Sequence, residues 1–111
     1  QSLCEHRGCC WSPQSDPGVP WCSFSFQHGY RLDGARRDTE QGFEASLRRL
    51  QTPSLFGSDV GTVQLQAQFQ TPARLRLQFT DPKKQRFKVP HEHVGPFSGT
   101  AATNTKYGVK I

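Results

Sequence analysis

The sequence opens with a cysteine cluster, Cys4-Glu5-His6-Arg7-Gly8-Cys9-Cys10-Trp11, followed by Pro20-Trp21-Cys22. All four cysteines of the 111-residue chain lie in these two segments, together with both tryptophans. Only 33% of the residues are hydrophobic, so the core must be thin. Small domains with thin cores usually depend on crosslinks. The cysteine cluster therefore decides how the first part of the chain folds.

Three interpretations of these cysteines are open: a zinc site, a redox motif and a disulfide framework. A structural zinc ion held by Cys4, Cys9, Cys10 and Cys22, with His6 as an additional candidate ligand, would call for two well-separated Cys pairs, and adjacent cysteines do not comfortably ligate one ion. A redox motif requires Cys-x-x-Cys at a helix start, and that spacing is absent. A disulfide framework suits adjacent cysteines, because each can bridge to a different strand of chain. The spacing favours disulfides made in an oxidising compartment.

The composition divides the chain near residue 34. Residues 1–34 show no helical or strand periodicity, which is typical of a loop-rich, crosslinked module. Asp33 to Gln41 is the predicted connector. From residue 42 onward apolar and polar side chains alternate, which predicts β-strands. The apolar members of the five predicted strands are Phe43, Ala45 and Leu47; Val63, Leu65, Ala67 and Phe69; Leu75, Leu77 and Phe79; Phe87 and Val89; and Tyr107, Val109 and Ile111.

Turn signals separate the middle strands. Gln70-Thr71-Pro72-Ala73 and Thr80-Asp81-Pro82-Lys83 are typical of tight turns, so we predict antiparallel hairpins. Each strand then buries one face, and that face must pack on something. Because the apolar face is large for so few residues, we expect part of it to cover a second sheet or a neighbouring domain. The predicted fold class is mainly β, a disulfide-rich module followed by an antiparallel β-sandwich-like partial domain.

The chain is basic, with a net charge of +5. The cations are spread out, and several alternate along predicted strands, so we interpret them as a solvated outer face. No recognition helix, zinc-finger spacing or RNA-binding aromatic signature accompanies them, and we expect no nucleic-acid partner. No apolar run approaches the roughly 20 residues that span a bilayer. No signal peptide opens the sequence, so the compartment is inferred from the use of cysteine.

Apart from the cysteine cluster, the triplet His91-Glu92-His93 is the strongest candidate for a metal-binding site. On a strand, His91 and His93 face the same side and are suited to gripping a metal. No third ligand is evident, so we interpret the triplet as a surface or interdomain contact. We expect neither a metal nor a cofactor in this chain.

The cysteine cluster resembles the second half of a trefoil, or P-type, domain. A whole trefoil pairs its six cysteines first with fifth, second with fourth and third with sixth, and this chain holds the equivalents of the third to sixth. The resemblance implies a Cys4–Cys22 disulfide in a truncated trefoil, with partners for Cys9 and Cys10 upstream of Gln1. An exposed Trp21 beside Pro20 would offer a sugar-stacking surface. The alternative is that Trp11 and Trp21 cover the disulfides.

The resemblance extends along the chain through Gly42-Phe43-Glu44-Ala45, Phe69 to Asp81, Val89 to Val94 and Phe97-Ser98-Gly99. These segments resemble the start of a glycoside hydrolase family 31 α-glucosidase, most of all its intestinal, maltase-glucoamylase-like branch. In that family a trefoil precedes an N-terminal β-sandwich that packs on a catalytic barrel with a retaining mechanism. The resemblance implies a trefoil part at residues 1–34 and a β-sandwich portion at residues 35–111.

No catalytic residue carries over, because the family's nucleophile motif contains Met and this sequence has none. We expect a non-catalytic N-terminal portion of an α-glucosidase of starch and oligosaccharide digestion, inactive alone, that supports and shapes the barrel. Its partner would be the remainder of the same polypeptide. It would lie in the secretory pathway, on the extracellular or lumenal side of the apical plasma membrane, or else in the lysosome. The alternative is a stand-alone trefoil-type module that binds carbohydrate or mucin.

Overall fold

The computed structural model describes residues 1–52, 54, 57–90 and 92–111. One short helix and seven strands follow one another along these residues: α1 (Ser2–His6), β1 (Cys10–Trp11), β2 (Cys22–Ser23), β3 (Tyr30–Leu32), β4 (Arg37–Thr39), β5 (Gly42–Arg49), β6 (Thr62–Thr71) and β7 (Arg74–Thr80). Every strand pair is antiparallel. The predicted mainly β class is confirmed.

The strands form two sheets. β1 and β2 make a two-stranded ribbon within the cysteine-rich segment. The other five strands make one sheet in the order β3-β5-β6-β7, with β4 also paired to β5. The described residues contain no second large sheet facing this one, so the second layer of a sandwich stays a prediction.

The three long strands are the ones that the alternating pattern predicts. β5, β6 and β7 coincide with the first three predicted strands, and β6 and β7 form a hairpin across Thr71 and Arg74, with an irregularity near Phe69. Alternation over seven to ten residues fixes which side chains point to one face. The core consists of Phe43, Ala45, Leu65 and Ala67, with Leu32, Leu47, Phe69 and Val109 packed around them.

Two predicted strands do not form. Residues 85–90, with Phe87 and Val89, are neither helix nor strand. Asp81 begins a turn before this stretch, since its Oδ1 accepts a hydrogen bond from the Lys83 amide at 2.8 Å, and no strand ladder joins residues 85–90 to β7. The stretch Tyr107–Ile111 also lacks a strand ladder. Its alternation still holds, because Tyr107 and Val109 turn inward and the Tyr107 hydroxyl donates to the Thr71 and Arg74 carbonyls at 3.0 Å each.

The hydrophobic periodicity of the sequence did not predict the short elements. The helix α1 and the ribbon β1–β2 lie in the segment that showed no periodicity, and β4 lies within the predicted connector from Asp33 to Gln41. β3 also joins the large sheet from within residues 1–34. Elements of two to five residues are too short to show a period, and their pairing with β5 or with each other determines them.

The molecule is extended for its length. Its radius of gyration is 17.7 Å, whereas a compact domain of 100 residues has about 13 Å. No helix in the described part of the chain has the length and apolarity needed to cross a bilayer. The extended shape agrees with a sheet that covers only part of its apolar face.

Candidate functional site

The cysteine-rich segment is closed by a disulfide between Cys4 and Cys22, whose Cα atoms lie 5.9 Å apart, within the usual range. It ties α1 to β2, and Cys4 is buried. The bond closes a loop with a sequence separation of 18 residues, which corresponds to about 3 kcal/mol in the chain-entropy account. The bond replaces the buried apolar core that a segment of this size cannot build.

Cys9 and Cys10 are free thiols in this chain. Cys10 is exposed on β1 opposite Ser23, and Cys9 is partly buried, with its Sγ 3.9 Å from the Arg7 carbonyl oxygen. Neither thiol contacts the Cys4–Cys22 bond in a way that would form a metal site. The described residues hold no group of three or more His, Cys, Asp or Glu side chains arranged for a metal ion.

Trp21 and Pro20 form the predicted sugar-binding position. Both are exposed, and 44% of Trp21 is accessible. The Trp21 ring packs edge-on against Trp11, with ring centroids 5.7 Å apart and planes at 82°. The Ser12 amide donates to the Trp21 carbonyl at 2.8 Å and holds the two strands together. Trp21 thus makes a structural contact with one part of its ring and leaves another part open to solvent.

A groove of about 590 Å³ lies beside the disulfide, but Pro20 and Trp21 do not line it. Its walls include both bridged cysteines, Cys9 and Trp11. The structure therefore brings Cys4, Cys9 and Cys22 together with Trp11 in this groove, and Trp21 adjoins the groove through its contact with the Trp11 ring. Pyranose binding at Trp21 would rely on stacking against its exposed ring.

The triplet His91-Glu92-His93 lies partly outside the described residues, since His91 is not among them. His93 lines a second and larger groove, of about 820 Å³, between β7 and residues 81–90. The sequence analysis missed this groove because it predicted a turn at residues 80–83 and a strand that contains Phe87 and Val89. The signal that marks it is the pair Pro82 and Pro90, which bracket the stretch and disfavour a strand in the sheet.

Separate ion pairs involve Glu44, Arg48 and Arg49 of β5. The Glu44 carboxylate accepts hydrogen bonds from the Arg37 guanidinium and from the Gln66 amide, the latter at 3.0 Å. These bonds, chiefly the one from Arg37, hold the pKa of Glu44 below its ordinary value of 4.5. Arg48 pairs with Asp33 at 2.8 Å and Arg49 with Asp59 at 3.5 Å. These carboxylates are occupied in structural ion pairs.

Known proteins resemble this chain in sequence over most or all of its length. Residues 1–25 match the family model described as the trefoil (P-type) domain. The chain is 45% identical over its full length to the intestinal sucrase-isomaltase of Oryctolagus cuniculus and 41% identical, over 93% of its length, to probable maltase-glucoamylase 2 of Homo sapiens. It is 39% identical, over 83% of its length, to the lysosomal α-glucosidase of Rattus norvegicus.

The chain spans only 6%, 4% and 10% of the lengths of these three relatives. Along the chain a disulfide-linked segment is followed by an antiparallel sheet. Residues 1–25 match the trefoil (P-type) domain model, and over 83–100% of its length the chain is homologous to sucrase-isomaltase, maltase-glucoamylase and lysosomal α-glucosidase, which are members of glycoside hydrolase family 31.

Proposed function

We propose that this chain is a non-catalytic N-terminal part of a longer α-glucosidase, and that it supports and shapes the catalytic domain. The observation that carries the proposal is the sheet's incompletely covered apolar face. Leu77 and Phe79 lie on that face in register with the core, yet 45% and 60% of them are exposed. A soluble domain rarely leaves such a contiguous apolar area open unless another surface covers it.

The partners of six carboxylates support a non-catalytic role for this chain. A retaining glycosidase needs one carboxyl group with a raised pKa as general acid and a second as nucleophile, about 5–5.5 Å apart. The pKa of Glu44 is lowered, the opposite of a general acid, and Asp33, Asp38 and Asp59 pair with arginines. The side chains of Asp16 and Asp81 accept backbone hydrogen bonds in turns. We therefore expect the chain by itself to be inert toward glycosides.

In the proposed support role, residues 1–34 and residues 35–111 have different tasks. The trefoil part, which we assign to residues 1–34, is held by the Cys4–Cys22 bond and is joined to the sheet through β3. The β-sandwich portion, residues 35–111, presents the open apolar face. We propose α-linked starch oligosaccharides as substrates of the longer enzyme, and the name α-glucosidase of one relative supports an α-glucoside substrate.

The Cys4–Cys22 disulfide supports a location in the secretory pathway. Disulfides form and persist in oxidising compartments, and Cys4–Cys22 is one. Cys9 and Cys10, which are accessible and unbridged here, would bond to cysteines of the longer polypeptide outside these residues. Because the relatives are named intestinal and lysosomal, we propose two alternative locations for the longer protein: the extracellular or lumenal face of the apical membrane, and the lysosome.

A second candidate function is favoured by Trp21 alone. Its open ring, beside Pro20, is suited to stacking on the apolar face of a pyranose in a carbohydrate- or mucin-binding module. Such binding would be saturable in a tryptophan-fluorescence titration with mucin oligosaccharides, and Trp21→Ala would abolish it, whereas Trp11→Ala would not if the ring of Trp21 alone stacks. A purely supporting segment shows no saturable change.

The support function is tested by exchange into a relative. The 111 aligned residues of Oryctolagus cuniculus sucrase-isomaltase are replaced by this chain, and a second version lacks those residues. We expect the exchanged enzyme to be secreted and to hydrolyse isomaltose within a few-fold of the parent, and the deleted version to be retained in cells. The isolated chain should show no hydrolysis of a chromogenic α-glucoside. Equal secretion and activity with and without the segment would overturn the proposal.

A further inference from the structure

The larger groove, between β7 and residues 81–90, has an unusual combination of linings. Its cations are Arg76, Lys83, Lys84, Arg86 and Lys88, and Asp81 is the carboxylate among its lining residues. The groove thus holds an excess of four positive charges, nearly all of the chain's net charge of +5. The sequence analysis interpreted these cations as the outer face of a strand, but residues 85–90 form no strand.

None of the five cations is paired in the described part of the chain. The ion pairs found there join Arg36, Arg37, Arg48 and Arg49 to carboxylates elsewhere on the sheet. Asp81 is engaged with its own turn, since it accepts the Lys83 backbone amide. Five like charges around one groove repel one another, and a carboxylate-bearing partner would relieve that repulsion.

The same groove carries apolar side chains that a purely ionic ligand would not use. Phe79 is 60% exposed, Phe87 88% and Val89 79%. Phe87 and Val89 alternate with Arg86 and Lys88 along the chain. A partner that satisfies both kinds of side chain needs carboxylates and apolar groups in alternation, which an extended peptide segment provides.

The backbone offers a third element of recognition. β7 is the last strand of the sheet order, so its outer edge has no strand partner among the described residues. Unpaired N–H and C=O groups on an edge strand are a template for another strand. An extended segment that pairs with β7 would lie beside Phe79 and within reach of the cations of residues 83–88.

We propose that this groove binds an extended segment with alternating acidic and apolar residues, supplied by the rest of the longer α-glucosidase polypeptide. The inference rests on the proposed function and adds the chemistry of the contact: the groove is an electrostatic and apolar clamp that fixes this segment on the rest of the enzyme. The excess charge is then a docking feature and not a general property of the surface.

The test uses the exchanged sucrase-isomaltase described above. One variant reverses four groove charges, Lys83→Glu, Lys84→Glu, Arg86→Glu and Lys88→Glu. A matched control reverses four exposed cations outside the groove, Arg31→Glu, Arg74→Glu, Lys106→Glu and Lys110→Glu. We expect at least a tenfold loss of secreted isomaltase activity for the groove variant and less than a twofold loss for the control.

A zero-length carbodiimide crosslink provides a second readout that does not depend on folding of the variants. In the secreted exchanged enzyme, Lys83, Lys84 or Lys88 should form amide bonds with Asp or Glu residues outside the 111 exchanged residues, and mass spectrometry identifies them. Raising the salt concentration should reduce the yield of these crosslinks.

The outcomes separate the two proposals. An active exchanged enzyme in which both charge-reversal variants behave alike, without lysine crosslinks to the rest of the enzyme, would overturn the groove assignment and leave the support function standing. An exchanged enzyme that is neither secreted nor active would overturn both. Crosslinks that are found only to an added anionic polysaccharide such as heparin would assign the groove to a polyanion and also overturn the proposal.

Discussion

Phe43 and Leu77 lie in one cross-strand row, joined through Ala67, yet only 1% of Phe43 is exposed and 45% of Leu77. The row crosses from β5 through β6 to β7 on a single face of the sheet. Arg36 lies over the Phe43 ring at 5.0 Å, and Phe69 packs edge-on against it at 6.1 Å. Nothing comparable covers Leu77 among the described residues. The apolar face of the sheet is therefore covered at β5 and exposed at β7.

Removal of the disulfide should loosen the trefoil segment and leave the large sheet in place. For Cys4→Ser we expect a loss of about 3 kcal/mol in the local stability of the segment, because the closed loop no longer restricts its unfolded state. The near-ultraviolet circular dichroism of the Trp11–Trp21 pair reports the loss during urea denaturation. Cys10→Ser is the control, since its thiol is exposed and unbridged. Equal urea midpoints for the two variants would contradict this account.

Gly42 begins β5 at a point where no side chain fits. A Cβ at this position would overlap the Ala67 carbonyl oxygen and lie 3.0 Å from the Ala67 carbonyl carbon, in the neighbouring strand. Because the obstacle is backbone, it cannot rotate away, and we expect Gly42→Ala to cost roughly 3 kcal/mol of global stability. Gly61→Ala, where a Cβ would meet nothing within 4 Å, should change stability by less than about 0.5 kcal/mol. Thermal denaturation of both variants compares them directly.

The alternating pattern predicted the three long strands because each has enough residues to show a period of two. It failed at Phe87 and Val89, since alternation of side chains does not by itself supply the backbone pairing that makes a strand, and residues 85–90 pair with no strand among the described residues. It also failed for β4, which is three residues long and polar. The Cys4–Cys22 pairing came from the trefoil resemblance. The sequence analysis predicted an excess of apolar residues on one face of the sheet. It did not predict that Leu77 would be exposed, because exposure depends on where the covering chain lies.

The Glu44 carboxylate should give the sheet a weak dependence on pH. Its pKa is lowered in the folded protein, first by the hydrogen bond from Arg37 and then by that from Gln66. Its contribution to stability is therefore present above the ordinary pKa of 4.5 and is lost as the pH falls through the lower, folded value. Arg37→Ala should return the pKa of Glu44 toward 4.5, which carbon-13 NMR titration of its carboxyl group measures.

The size of this effect is limited because Arg37 is largely exposed. We expect Arg37→Ala to cost less than about 1 kcal/mol at neutral pH, and less still at pH 3, where Glu44 is increasingly protonated. Arg31→Ala is the control, since Arg31 is exposed and pairs with no carboxylate among the described residues. An unchanged titration of Glu44 in the Arg37 variant would show that the bond is absent in solution.

The open end of the apolar face should be visible in the isolated chain. The double variant Leu77→Ser and Phe79→Ser should lower the fluorescence of a bound hydrophobic dye severalfold and reduce self-association in sedimentation experiments. Its global stability should change by about 2 kcal/mol, because 45% of Leu77 and 60% of Phe79 are already exposed and only the remaining burial is lost on substitution. Phe43→Ala, at the buried end of the same row, should instead cost about 3–5 kcal/mol.

Gln78→Ser is the matched control for this experiment, since Gln78 lies on β7 between the two substituted residues and points to the opposite face. It should leave both dye binding and sedimentation unchanged. If the Leu77 and Phe79 variant unfolded as readily as Phe43→Ala, those side chains would be part of the chain's own core. The face would then need no outside surface to cover it, and the support function would lose the observation that carries it.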